Sequence, residues 1–213
     1  MQDVIERPAT TVSMEWPTRS AQRNDADGVA AKALMGAAAG AIGVWALDRA
    51  DWFMWNHESE EARQRTRSVR PRGEPPANVA ATKLEEMFGL HLTRDQHETA
   101  GFATHYAIGV GPAAVYALVR DKLPGKGPAR GLLYGLGMFL LQDEALNTAT
   151  GLGAKPQAYP WQAHARGLVA HLVYGVVTEV ALNAMEKSLG RTGDTARSAS
   201  AAPRQENAAG RPW

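Results

Sequence analysis

The chain contains no cysteine. That excludes disulfides, thiolate metal sites and cysteine nucleophiles together, and leaves the redox compartment undetermined. It also lacks an excess of charge of either sign: 23 Lys and Arg face 22 Asp and Glu, for a formal net charge of +1. No bulk attraction to nucleic acid follows from that balance, and nucleic acid is not expected as a partner. Met1 to Asp27 is polar and holds no apolar core of roughly 7–15 residues, so it does not read as a signal peptide. The mean hydropathy of −0.31 resembles that of a water-soluble protein. The average misleads, because the polar residues are concentrated in the tails and in one long loop.

Four apolar segments stand between the polar spacers. They are Val29–Leu47, Gly101–Arg120, Gly131–Gly153 and Trp161–Met185. Each approaches the ~20 residues that carry a helix across a hydrocarbon core of ~30 Å. All are rich in Gly and Ala with few β-branched runs, which favours helix over strand. A helix of a water-facing bundle should show a polar face at helical spacing, yet Tyr106–Val119 and Leu132–Leu141 carry no charge on any face. Gly36 and Gly40 are four apart, as are Gly131 and Gly135, a spacing that lets helix backbones approach closely in lipid. Pro112 is costly inside a water-soluble helix and better tolerated in a membrane helix whose neighbours satisfy the freed carbonyl. The expected fold is therefore all-α: an integral membrane four-helix bundle with a short extra amphipathic helix in the first loop. Its helices are expected at about 29–55, 99–120, 129–151 and 161–186, with the loop helix at about 77–89. Residues 1–28 are expected to form a polar N-terminal tail and 187–213 a disordered C-terminal one, rich in Ala, Ser, Arg, Gly and Pro. A water-soluble bundle is the alternative.

Lys and Arg in the short loops set the expected orientation. Arg120, Lys122, Lys126 and Arg130 join the second and third segments; only Lys155 lies between the third and fourth. Arg19, Arg23 and Lys32 flank the first segment, and Lys187 and Arg191 follow the last. Both termini are thereby expected in the cytoplasm. The long first loop dissents with Arg63, Arg65, Arg67, Arg70 and Arg72, but long loops weigh less in the rule. Trp45, Trp52, Trp55, Tyr159 and Trp161 are placed as anchors at the outer interface. In the first loop, "RQRTRSVRPRGEPP" is expected to be irregular, and Ala80, Leu84, Met87 and Phe88 to form the apolar face of the loop helix.

Chemistry, if any, belongs to the polar residues inside or bordering the apolar segments. The cluster expected in the membrane is Asp48, His105, Asp143, Glu144, Asn147, His164, His171 and Glu179, accompanied by Gln142, Arg166, Thr178 and Asn183. A charge at mid-membrane costs about 2.5–3.5 kcal/mol on insertion scales, so such groups face protein or water. His164, His171 and Thr178 repeat every seven residues along one stripe. An antiparallel bundle should bring His105 within reach of Asp48 or Asn147, and His171 within reach of Asp143 or Glu144. Arg166 reads as a group reaching for the outer boundary rather than a cluster member. Three readings stay open: packing groups, a proton path or substrate site, and a metal site. Neither Glu-x-x-His nor His-x-x-x-His spacing occurs, so no metal ligand is assigned and no cofactor is expected. "GVGPAA" and "GLGMF" lack the Lys and the strand-turn-helix setting of a phosphate loop, and no Gly-x-Ser-x-Gly elbow is present. Catalytic residues are unassigned.

The order and spacing of His105, Gly151-Leu152, Pro156, Pro160-Trp161, His171 and Glu179, with the prolines of "RPRGEPP", resemble the YagU-like family of small bacterial inner-membrane proteins. The resemblance covers roughly Ala30 to Met185. It departs at Ala170, where the family has glycine, and at Asp143-Glu144, where histidine is expected. It implies a bacterial inner-membrane location and a loose association with acid stress, but no biochemical activity. The expected role is non-enzymatic: transport, stress response or an accessory subunit of a membrane complex. Expected partners are the lipid bilayer and a membrane protein or second copy. A membrane metal-binding protein or enzyme using intramembrane His and Asp/Glu is the alternative.

Overall fold

A computed structural model describes the backbone of residues 19–200 and the side chains of residues 27–189. Helix α1 spans Arg19–His57, α2 Glu60–Val69, α3 Pro76–Phe88 and α4 Arg94–Val119. Then come α5, Pro128–Met138, a π-helical stretch Phe139–Leu146, and the single turn α6, Asn147–Ala149. Helix α7, Trp161–Ser200, completes the order. No strand occurs among the described residues. By length and composition three helical stretches can cross a membrane: Asp27–His57, Arg94–Lys122 and Trp161–Leu189.

Several boundaries correct the sequence reading. Helix α1 begins at Arg19, inside the expected 1–28 tail, and α7 runs on to Ser200, into the tail expected to be disordered from 187. No proline interrupts either extension, and adding a residue to an existing helix is far easier than starting one. What was expected of 1–18 and 201–213 lies outside the described residues. Helix α4 starts at Arg94 because Thr93 and Gln96 form a capping box, each side chain bonding the other's backbone N–H. The basic stretch expected to be irregular is helical from Glu60 to Val69. Ser59 Oγ accepts from Ala62 N at 3.2 Å, and Glu60 and Glu61 sit at the positive helix end. Glu60 pairs with Arg63 at 2.7 Å. The breaking residues, Pro71 and Gly73, come only afterwards. Helix α3 docks on α4 through Val79, Ala81 and Thr82, so the expected face of Leu84, Met87 and Phe88 is left exposed.

The third apolar segment is helical but not one regular α-helix. Asn147 N–H reaches back to the Gln142 carbonyl, five residues away. Such wider turns re-aim side chains and recur at functional sites. Here they carry Gln142, Asp143 and Glu144. The segment ends at Gly151 (φ 67°), a conformation glycine adopts without penalty, where Leu152 N and Gly153 N both donate to Asn147 O at 2.8 Å.

Packing follows the small residues. Helix α1 lies between α4 and α7, and α7 also packs on α5. At Gly36 a Cβ would lie 2.6 Å from the Ala113 carbonyl oxygen, and at Gly131 2.7 Å from that of Gly175. A Cβ at Gly40 would strike Ala113 Cβ, and one at Gly135 the His171 carbonyl. The matched pairs 36/113 and 48/105 show that α1 runs antiparallel to α4, and 131/175 and 135/171 that α5 runs antiparallel to α7. Pro112 cannot donate to Ile108, four residues back; the Gln142 side-chain amide donates to that carbonyl instead, at 3.0 Å. Outward, Leu34, Trp45, Val115, Leu133, Leu141 and Val180 are all exposed.

Candidate functional site

Two polar centres lie at opposite ends of the bundle, separated by a layer of tyrosines. Tyr116 stacks on Tyr134 with centroids 3.9 Å apart, and Tyr134 and Tyr174 share a hydrogen bond of 2.9 Å between hydroxyls. The Tyr174 hydroxyl lies 2.7 Å from the Gly109 carbonyl.

At one end is a closed knot around Glu179, which is fully buried. Tyr116 OH donates to its Oε2 at 2.8 Å, and Arg120 Nη1 to the same oxygen at 3.1 Å. Asn183 Nδ2 reaches Oε1 at 3.2 Å, with Arg130 Nη1 3.8 Å from it. Arg120 also bonds Glu186 at 2.5 Å and Asn183 at 3.1 Å. Read from sequence as a loop charge, Arg120 is buried.

At the other end a cavity of about 270 Å³ opens between α1, α4, the π-helical stretch and α7. Seven of the eight residues of the expected cluster line it: Asp48, His105, Asp143, Glu144, Asn147, His164 and His171. Glu179 does not; it belongs to the knot. His105 Nε2 lies 2.8 Å from Asp48 Oδ1. His171 Nδ1 is 2.9 Å from the Gly167 carbonyl and 3.6 Å from Asp143 Oδ2. Glu144 turns instead to His164 Nδ1, at 2.6 Å, while His164 Nε2 lies 3.0 Å from the Pro156 carbonyl. That carbonyl can only accept, so His164 Nε2 donates to it and Nδ1 faces the Glu144 carboxylate. By the same reasoning His171 donates from Nδ1 to the Gly167 carbonyl.

Arg166 corrects the sequence reading most directly. It is buried at 4% exposure rather than reaching for the boundary. Its Nε donates to Asp51 at 2.8 Å and its Nη1 to Glu58 at 2.5 Å, and its guanidinium lies 4.7 Å from the Trp55 ring centre. Asp51 and Glu58 were not singled out by sequence. Their signal was available: Asp48, Asp51 and Trp55 fall at helical spacing on one face of α1. The first loop roofs the cavity with Thr66, Arg70 and the Pro75-Pro76-Ala77 turn. Lys83 Nζ ties this roof to the Thr150 carbonyl at 2.6 Å. Burial, and then the charge of Arg166 beside it, push the Arg70 guanidinium below its ordinary value.

The arrangement can exchange protons at three imidazole–carboxylate pairs and can hold a small polar molecule. Among the described residues no group of three His, Asp or Glu is disposed to hold a metal ion. The chain matches no protein-family model, no curated protein and no solved structure.

Proposed function

We propose that the protein is a four-helix integral membrane protein of the bacterial inner membrane, with both termini in the cytoplasm. The α5–α6 stretch is the fourth crossing, and the cavity is a proton-exchanging site for a small solute near the outer face. The role is non-enzymatic: transport, a stress response, or service to a larger membrane complex. One observation carries this reading. Three histidines, each beside a carboxylate, line a single cavity inside helices whose outer faces are apolar. An apolar girdle of that extent is an aggregation surface in water and an ordinary one in lipid. Isolated titratable groups are costly at membrane depth, so their retention around a cavity points to use. The resemblance to YagU-like proteins and the Lys/Arg contrast between the short loops support the location and the orientation.

Reporter fusions after Lys126 should report cytoplasm and fusions after Lys155 the opposite side. Equal cytoplasmic signals would overturn the membrane reading. For the site, His171→Gln should leave a folded, abundant protein that has lost its acid-survival or transport phenotype. Full phenotype in that variant would reduce the histidines to packing groups.

A further inference from the structure

Most charged groups on the cavity already have partners. Arg166 is held by two carboxylates, and His105 and His164 each by one. Two opposite charges remain with unspent bonding capacity. The Arg70 guanidinium makes no side-chain hydrogen bond or ion pair among the described residues; it lies 6.0 Å from the centre of the Trp55 ring and beside the like charge of Arg166. Asp143 keeps 35% of its side-chain surface open. Its one hydrogen bond, from Asn147, is long at 3.4 Å, and His171 Nδ1, at 3.6 Å, is beyond hydrogen-bonding distance. Arg70 and Asp143 feel each other's charge without meeting. Both are on the wall of the same cavity.

A cation without an ion pair and a carboxylate whose only pairing, with His171, is a loose 3.6 Å contact line one space, and together they define a ligand by complementarity. We propose that the cavity takes a small zwitterion of amino-acid type, its carboxylate bound by Arg70 and its ammonium group by Asp143. This rests on the reading of the cavity as a solute site. An anion alone would satisfy Arg70 but set a second negative charge beside Asp143; a cation alone would do the reverse at Arg70. A zwitterion satisfies both and brings no net charge into a low-dielectric setting. The cavity, about 270 Å³, lies just below the range of drug-sized sites, which fits a metabolite of a few heavy atoms. With its ring neutral, His171 offers Nε2 on the same wall as a second acceptor for the ammonium group.

Three related probes separate the charges: alanine, propionate, which lacks its ammonium group, and ethylamine, which lacks its carboxylate. Binding is read by equilibrium dialysis on the full chain in mild detergent. Alanine should bind saturably and the other two should not. The series glycine, β-alanine and 4-aminobutyrate then reads the charge spacing. Arg70→Gln and Asp143→Asn should each raise the half-saturating concentration at least about tenfold, the loss of one charge-assisted contact. Arg70→Lys, which keeps the charge, should retain part of the binding and so separates a lost contact from a lost fold. Propionate binding as tightly as alanine would overturn the proposal in favour of a plain anion site. The chain has no cysteine, so a single Ala163→Cys reports on the cavity alone. If no zwitterion binds while that thiol reacts with a polar maleimide, the ligand class is wrong and the solute site stands. If no zwitterion binds and the thiol is unreactive, the cavity is closed and both readings fall.

Discussion

Arg120 and Arg166 are each 4% exposed, and each bonds two carboxylates, at opposite ends of the same bundle. What differs is their surroundings. Around Arg120, the tyrosine, asparagine and second arginine spend both oxygens of Glu179, and no residue of this knot lines the cavity at the other end. Around Arg166 the pairs line a cavity, and Arg70 and Asp143 face it with bonding capacity left over. A buried charge alone therefore identifies nothing. A buried ion pair can be energetically neutral against apolar replacements. Room and unspent valence together make the second end a site and leave the first as a clamp between α4 and α7.

The strongest way to break the comparison is to remove the two arginines. Arg120→Ala strands Glu179, and Arg166→Ala strands Glu58; each should cost about 3–5 kcal/mol, the usual result of breaking a buried pair. Denaturation in detergent measures both. Only Arg166→Ala should also change labelling at position 163, and an equal change from Arg120→Ala would erase the distinction.

Next in size is the packing of helix α5 on α7. At Gly135 a Cβ would meet the His171 carbonyl, whereas at Gly137 nothing lies within 4 Å. Gly135→Ala should cost about 1–3 kcal/mol by overpacking, and Gly137→Ala should be neutral or stabilise by up to about 1 kcal/mol. Thermal unfolding of the pair decides it.

Smaller still is His171→Gln, which removes a half-satisfied pair: about 1 kcal/mol or less, with the pH response of solute binding flattened. Least of all is Glu60 on the exposed helix α2. Its hydrogen bond from Arg63 holds the carboxyl below its ordinary value. A depressed carboxyl contributes stability above its unfolded value and loses it as pH falls through the folded one. Glu60→Gln should therefore lower the neutral plateau slightly and leave stability at low pH unchanged, which flattens the acid limb of the profile.

The helical class and the reach of His105 to Asp48 or Asn147 were legible because both depend on spacing along regular helices; the structure pairs it with Asp48. The four packing glycines stand at close backbone contacts for the same reason. The π-helical stretch was not legible, since its extra residue per turn leaves no mark in composition. It sends Glu144 to His164 and Asp143 to His171, a choice spacing left open. Helix α2 was obscured by the prolines that follow it, although Ser59, Glu60 and Glu61 announce its start. Arg70, Arg120 and Arg166 read as loop or boundary charges because a long cationic side chain can reach water from many positions. The burial of Arg120 and Arg166 is set by acids distant in sequence, which a local pattern does not reveal.

The central claim is that one polar centre is open and the other closed. Two single-cysteine variants test it in intact membranes: Ala163→Cys on the cavity wall and Thr178→Cys beside the knot, where Thr178 is fully buried. A membrane-impermeant maleimide should label position 163 from the outer side and leave 178 unlabelled until the protein is denatured. Equal labelling of the two, or an unreactive position 163 in the folded protein, would contradict the account.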